Sequence, residues 1–143
     1  MVGLAVDTIR GHGVNPSYFG HWKAEHVSAL RDFMTECTAA VIFGVAQLKI
    51  SEGQYRAGQE QAVLLNEHWS SPWCQIEAGM ALALDIPILI VKEPGIREGI
   101  FDPTNWIDGV VGTTFDELAP DLVTTGWLEA ALARSRAGSG RPN

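Results

Sequence analysis

Glu77 stands four residues after Trp73 in the run Ser70-Ser71-Pro72-Trp73-Cys74-Gln75-Ile76-Glu77. On a helix, that spacing puts a carboxylate and an indole on one face. The hydroxyl of Ser71 is suited to cap such a helix, and Pro72 suits its first position, where no intrahelical N–H is needed. The helix is therefore expected to start near Pro72. A carboxylate held ionised close to a helix N-terminus can stabilise an oxocarbenium-like state by charge or capture it covalently. This is the chemistry of breaking a bond between ribose and a base. Trp73 could stack on the base while neighbouring backbone amides meet phosphate. A cationic leaving group such as nicotinamide needs no acid, whereas a neutral nucleoside requires a proton donor. The bland alternative is a helix whose early acid complements the dipole, with Trp73 as ordinary core.

The flanking segments must position that helix. Residues 38–46 and 86–91 are short apolar runs rich in β-branched side chains and read as fully buried strands. A continuous apolar run marks a parallel strand covered on both faces, so strand, helix, strand predicts a βαβ unit with a right-handed crossover. Ligands of such sheets bind beyond the carboxyl ends of the strands, where helix N-termini also open. Glu77 is accordingly expected to face a crevice beside the loop that leaves Val45, with Gly44 at the end of the strand as a ligand-contacting position.

Other segments read less sharply. Residues 2–10 have helical apolar spacing that Gly11 and Gly13 would stop. Residues 14–19 read as a short strand, weakened at Pro16 and so near an edge. Residues 25–35 form an amphipathic helix with Val27, Leu30, Phe33 and Met34 inward. The polar stretch 47–70 is long for a connection and reads as a binding loop, lid or insertion, with a helical turn or two in 59–69. Within it, Tyr55 and Arg56 read as solvated surface rather than lid contacts. Residues 95–99 lack the Lys and Ser/Thr of a phosphate loop and read as the turn after a strand, from which Arg97 could touch a phosphate. A last strand fits 109–115, and a helix follows from Asp116 with its main body at 121–133. Trp106 and Trp127 are expected in the core or in a subunit interface, and residues 134–143 as a disordered tail.

Composition narrows the function class. The chain has 143 residues, 46% hydrophobic, with seventeen acids against ten bases and a net charge of −7. It reads as one domain over residues 1–133, and the acidic balance argues against nucleic acid or an anionic membrane as partner. No apolar run reaches membrane-spanning length and no secretory leader is visible, which implies a cytoplasmic protein. Cys37 and Cys74 lie far apart and read as buried free thiols. His12, His21, His26 and His68 lack metal-ligand spacing, so neither a metal nor a resident cofactor is expected, and no GxSxG elbow occurs.

Ser71-Pro72-Trp73-Cys74 followed by Glu77 resembles the catalytic motif of Toll/interleukin-1 receptor (TIR) domains. The run from Glu77 through Gly79, Ala81 and Ala83 to Pro87 is similar to the nucleophile helix of nucleoside 2-deoxyribosyltransferases. Together the two resemblances cover roughly residues 38–92. They imply a flavodoxin-like α/β fold, a parallel sheet of about four or five strands with helices on both faces. They also imply N-glycosidic cleavage of NAD or another nucleotide, with Glu77 catalytic and Trp73, Ser71, Gly44 and Arg97 around the substrate. Related TIR-like domains of bacterial defence systems that retain the fold as nucleotide sensors supply a non-catalytic alternative. Those folds begin with a central strand, and this chain opens inside the helix that follows it. The expectation is a sheet lacking its first strand, with Met1 an internal start. The other reading makes residues 2–6 that strand and lets the loop at His12 and Gly13 meet the ligand. A sheet without its central member exposes unpaired edges, so a homodimer or larger assembly, by strand exchange or helix packing, is expected.

Overall fold

The computed structural model describes residues 1–19, 27–60 and 63–138. In chain order its elements are α1 (Val2–Gly11), α2 (Val27–Thr35), β1 (Ala40–Gly44), β2 (Leu48–Tyr55), β3 (Val63–Trp69), α3 (Pro72–Ala83), β4 (Ile88–Lys92), β5 (Val110–Thr114), α4 (Leu118–Thr124) and α5 (Trp127–Gly138). Strands β1, β4 and β5 form a parallel sheet in that order, with Ala40 opposite Ile88 and Ile88 opposite Val110. Residues Ile88, Leu89, Ile90 and Val91 of the central strand are wholly enclosed, which is why that run carries no polar alternation.

Strand periodicity of two splits the core into two layers. Ile42, Ile88 and Ile90 point to the side where α2 contributes Leu30 and Met34, and α3 contributes Ala78 and Ala81. Leu89 and Val91 point to the other, where they meet Ala5 and Ile9 of α1, Leu118 and Leu122 of α4, and Trp127 of α5. Leu30 and Met34 are four apart, as one face of a helix requires. The small side chains of Ala78 and Ala81 let α3 lie close against β1 and β4. Trp127 seals the second layer, and its indole Nε1–H donates to the Pro87 carbonyl at 3.2 Å. Trp106 packs at the margin of the first layer and donates to the Ile100 carbonyl at 2.7 Å.

The α/β class, the parallel sheet and the helices on both faces are as expected, and residues 2–10 are helical. Several expectations are corrected. The sheet has three strands among the described residues instead of four or five. Residues 14–19 are not a strand, because among the described residues no strand lies beside them to pair with. The polar stretch 47–70 contains the antiparallel hairpin β2–β3, and residues 63–69, expected to hold a helical turn or two, are its second strand. The hairpin's alternation is broken by an irregularity between Ile50 and Gly53, and the chain reverses through Arg56 and Gly58, both at positive φ. The C-terminal helix is two helices, divided at Gly126 with φ 73°, a conformation glycine adopts without steric cost. Residues 134–138 continue α5 rather than opening a tail, while 139–143 lie outside the described residues. So do His21 and His26 and the first two positions of the expected helix 25–35. Val27, expected to face inward, is 47% exposed.

Candidate functional site

Helix α3 opens as the sequence dictates. Ser71 is in an extended conformation, its Oγ accepts the Trp73 N–H at 3.3 Å, and Pro72 occupies the first position. The thiol of Cys74 donates to the Phe43 carbonyl near the end of β1 at 3.6 Å, which docks the first turn against the sheet. In the second turn of α3, six residues after the cap, Glu77 is half-buried. Together with Phe43 and Cys74 it lines a cavity of about 410 Å³ that runs beside β1.

The Cys74 thiol reports on these surroundings. Its pKa is raised first by burial and then by the negative charge of Glu77; the Ser70 hydroxyl and the backbone amide of Cys74 act the other way, and Glu98 adds to the rise. A carboxylate beside a partly desolvated thiol disfavours the thiolate, so Cys74 is poised as a neutral packing group rather than a nucleophile.

Behind this turn, residues 93–101 brace the site. Glu93 accepts the Ala46 N–H at 2.8 Å and so ties the loop leaving β1 to the one leaving β4. Glu98 accepts the Ser70 N–H at 2.6 Å, while its second oxygen, Oε2, is buried with no hydrogen-bond partner among the described residues. Gln75 reaches across from α3: its Nε2 donates to the Glu98 carbonyl at 3.2 Å, and its Oε1 accepts the Ile100 N–H at 2.8 Å. Sequence reasoning assigned no role to Glu98 or Gln75, and read Cys74 as a buried free thiol. Glu98 stands next to Arg97 in the stretch read as a turn, which holds with Gly95 at φ 90°. Its pairing with Ser70 joins segments 28 positions apart, and no local pattern signals that.

Of the expected site residues, the structure brings Glu77 to the cavity and uses Ser71 to cap the helix that carries it. Trp73 is half-buried and Arg97 exposed, and neither is among the described residues that line the cavity. Gly44 does not line it either. A Cβ at Gly44 would come within 2.7 Å of Lys92 Cβ and 2.8 Å of the Phe101 ring, so its small size serves packing. Lys92 is itself held by main-chain acceptors. Its Nζ donates to the Ile96 carbonyl at 2.9 Å and to the Phe101 carbonyl, and its pKa is lowered first by burial and then by Arg97.

Among the described residues, no group of three or more His, Cys, Asp or Glu side chains is arranged to hold a metal ion, and no helix is long and apolar enough to cross a membrane. The chain matches no family model, no curated protein and no solved structure.

Proposed function

We propose that this domain binds a nucleotide beyond the carboxyl end of β1 and cleaves its N-glycosidic bond, with Glu77 as the reacting carboxylate and NAD the leading candidate substrate. The reading is carried by one observation: a half-buried Glu in the second turn of α3 lines a cavity that runs along β1 as far as Phe43, next to the carboxyl end of the strand, beyond which α/β sheets of this kind bind ligands. The resemblance of Ser71-Pro72-Trp73-Cys74 and Glu77 to TIR domains, and of the following helix to deoxyribosyltransferases, supports it. Ionised Glu77 would stabilise or capture the ribosyl cation as the base departs. Ser71 would act through the helix cap, and Trp73 and Arg97 would contact substrate parts lying outside the cavity itself. Incubating the protein with NAD and a nucleotide panel and following released base by chromatography tests the reading; no release from any of them refutes it.

A second reading has its own support. Trp73, Gly44 and Arg97 do not line the cavity, an arrangement that fits a non-catalytic module binding a nucleotide signal. Binding of a nucleotide without base release distinguishes the two. We also propose self-association, favoured by exposed apolar side chains such as Leu4, Leu48 and Val123, at 74%, 52% and 62% exposure. The two free thiols fit a reducing, cytoplasmic compartment.

A further inference from the structure

We propose that the groove beside β1 receives one extended polypeptide strand running parallel to β1, with about as many apolar residues as the five of β1 and a lysine or arginine just ahead of them.

The backbone of β1 makes the first case. The Ala40 N–H donates to the Pro87 carbonyl at 2.9 Å, and the Gly44 carbonyl accepts the Glu93 N–H at 2.8 Å, so alternate residues of β1 aim their polar groups at β4. Alternation aims the N–H and C=O groups of Val41 and Phe43 the other way, where no strand lies among the described residues. The Phe43 carbonyl takes only the long contact from the Cys74 thiol.

This edge is not an ordinary solvated one. Residues 39–43 all line the 410 Å³ cavity. Val6 and Ile9 of α1 wall it on one face of the sheet, and Leu30 and Met34 of α2 wall it on the other. A slot with an open ladder on one side and apolar helices on both faces is the environment of a buried parallel strand, and one strand takes up about 4.8 Å in the pairing direction. Residues 14–19 also line it, with Val14 packed against the layer of α1 and Phe19 against the layer of α2. A stretch that crosses the edge in this way bars edge-to-edge pairing with the whole sheet of a second copy, so the occupant is a single chain.

Charge settles the flank. The charged residues among the described lining are Glu36, at the amino end of β1, and Glu77, towards its carboxyl end. A parallel strand presents its amino end to exposed Glu36, which a basic residue would pair. This proposal shares its cavity with the glycosidase reading but does not rest on it, because it is argued from the open edge of β1 and from Glu36, and it needs no reaction at Glu77.

The test titrates the 143-residue chain with an acetylated, amidated heptapeptide of one lysine, five valine and isoleucine residues and a serine, read by calorimetry and by residue-resolved amide exchange. Expected are one peptide per chain and exchange slowed about tenfold or more at Val41 and Phe43. The same peptide N-methylated at alternate residues keeps its side chains but loses ladder donors, and should bind about tenfold more weakly, the worth of one or two hydrogen bonds. Glu36→Lys should weaken the lysine peptide and favour one carrying glutamate instead. Equal affinity for the N-methylated peptide overturns the proposal, as do unslowed exchange at Val41 and Phe43 and protection of those amides by self-association without peptide.

Discussion

Gly44→Ala tests whether the glycine at the end of β1 serves packing or ligand approach. The added methyl carbon would lie 2.7 Å from Lys92 Cβ and 2.8 and 2.9 Å from two carbons of the Phe101 ring, against about 3.5–4.0 Å for a favourable carbon contact. Neither neighbour can simply swing away. Phe101 is wholly enclosed in the layer that holds Ile42, Ile90 and Ile96, and Lys92 is fastened through Nζ to the Ile96 and Phe101 carbonyls. Overpacking of this kind costs about 1–3 kcal/mol. Alanine's smaller loss of backbone freedom returns roughly 0.5–1 kcal/mol, and because neither neighbour can yield the overpacking lies at the upper end of its range, leaving a net loss of about 2 kcal/mol. Urea unfolding followed by circular dichroism should show a lower midpoint with an unchanged slope, and Tm should fall by about 4 °C for each kcal/mol. A variant as stable as the parent would refute the packing argument and return Gly44 to the ligand site.

Ser71→Ala removes the cap on the Trp73 amide and should cost about 1 kcal/mol of stability; an unchanged unfolding midpoint would contradict the capping role. Trp127→Phe keeps a ring in the core but removes one of the two donors to the Pro87 carbonyl, which the Ala40 N–H still serves, and should cost about 0.5–1.5 kcal/mol in the same assay; a neutral result would mean that the hydrogen bond adds nothing. Burial and Glu77 hold the Cys74 thiol above its ordinary 9.0. Its contribution to stability is therefore complete below pH 9 and is lost as pH rises from there through the folded pKa, since the unfolded thiol ionises first. Between roughly pH 8 and 10 the parent should lose more stability than Cys74→Ala, and equal losses in denaturant titrations would contradict the shift. Light scattering at micromolar concentration should give a mass above that of the monomer; a clean monomer mass would end the self-association proposal.

How much of this was legible in the sequence depended on where each cause lay. The run Ile88 to Val91 announced its place because burial on both faces forces every position to be apolar, and the cap at Ser71 with Pro72 is a purely local device. The hairpin was hidden because its irregularity between Ile50 and Gly53 breaks the period that marks a strand. Residues 14–19 have strand-like composition but pair with no strand among the described residues, and a strand is specified by its neighbour as much as by itself. The duties of Gly44 and Glu98 are set by Phe101 and Ser70, each far along the chain, so nothing nearby distinguishes a packing glycine from a binding one. Glu77 was legible because its spacing from the helix start is local, and the cavity it lines was not, because α1, residues 14–19, α2, β1, α3 and α5 all contribute to its wall.

The most direct test of Glu77 compares base release by the parent and by Glu77→Gln, each incubated with NAD and a panel of nucleotides and analysed by chromatography, with unfolding midpoints measured in parallel. Gln keeps the volume and removes the charge, so the fold should persist within about 1 kcal/mol. The account predicts that the parent releases base from at least one nucleotide and that the folded Gln variant releases none; release by the variant at the parental rate would contradict it.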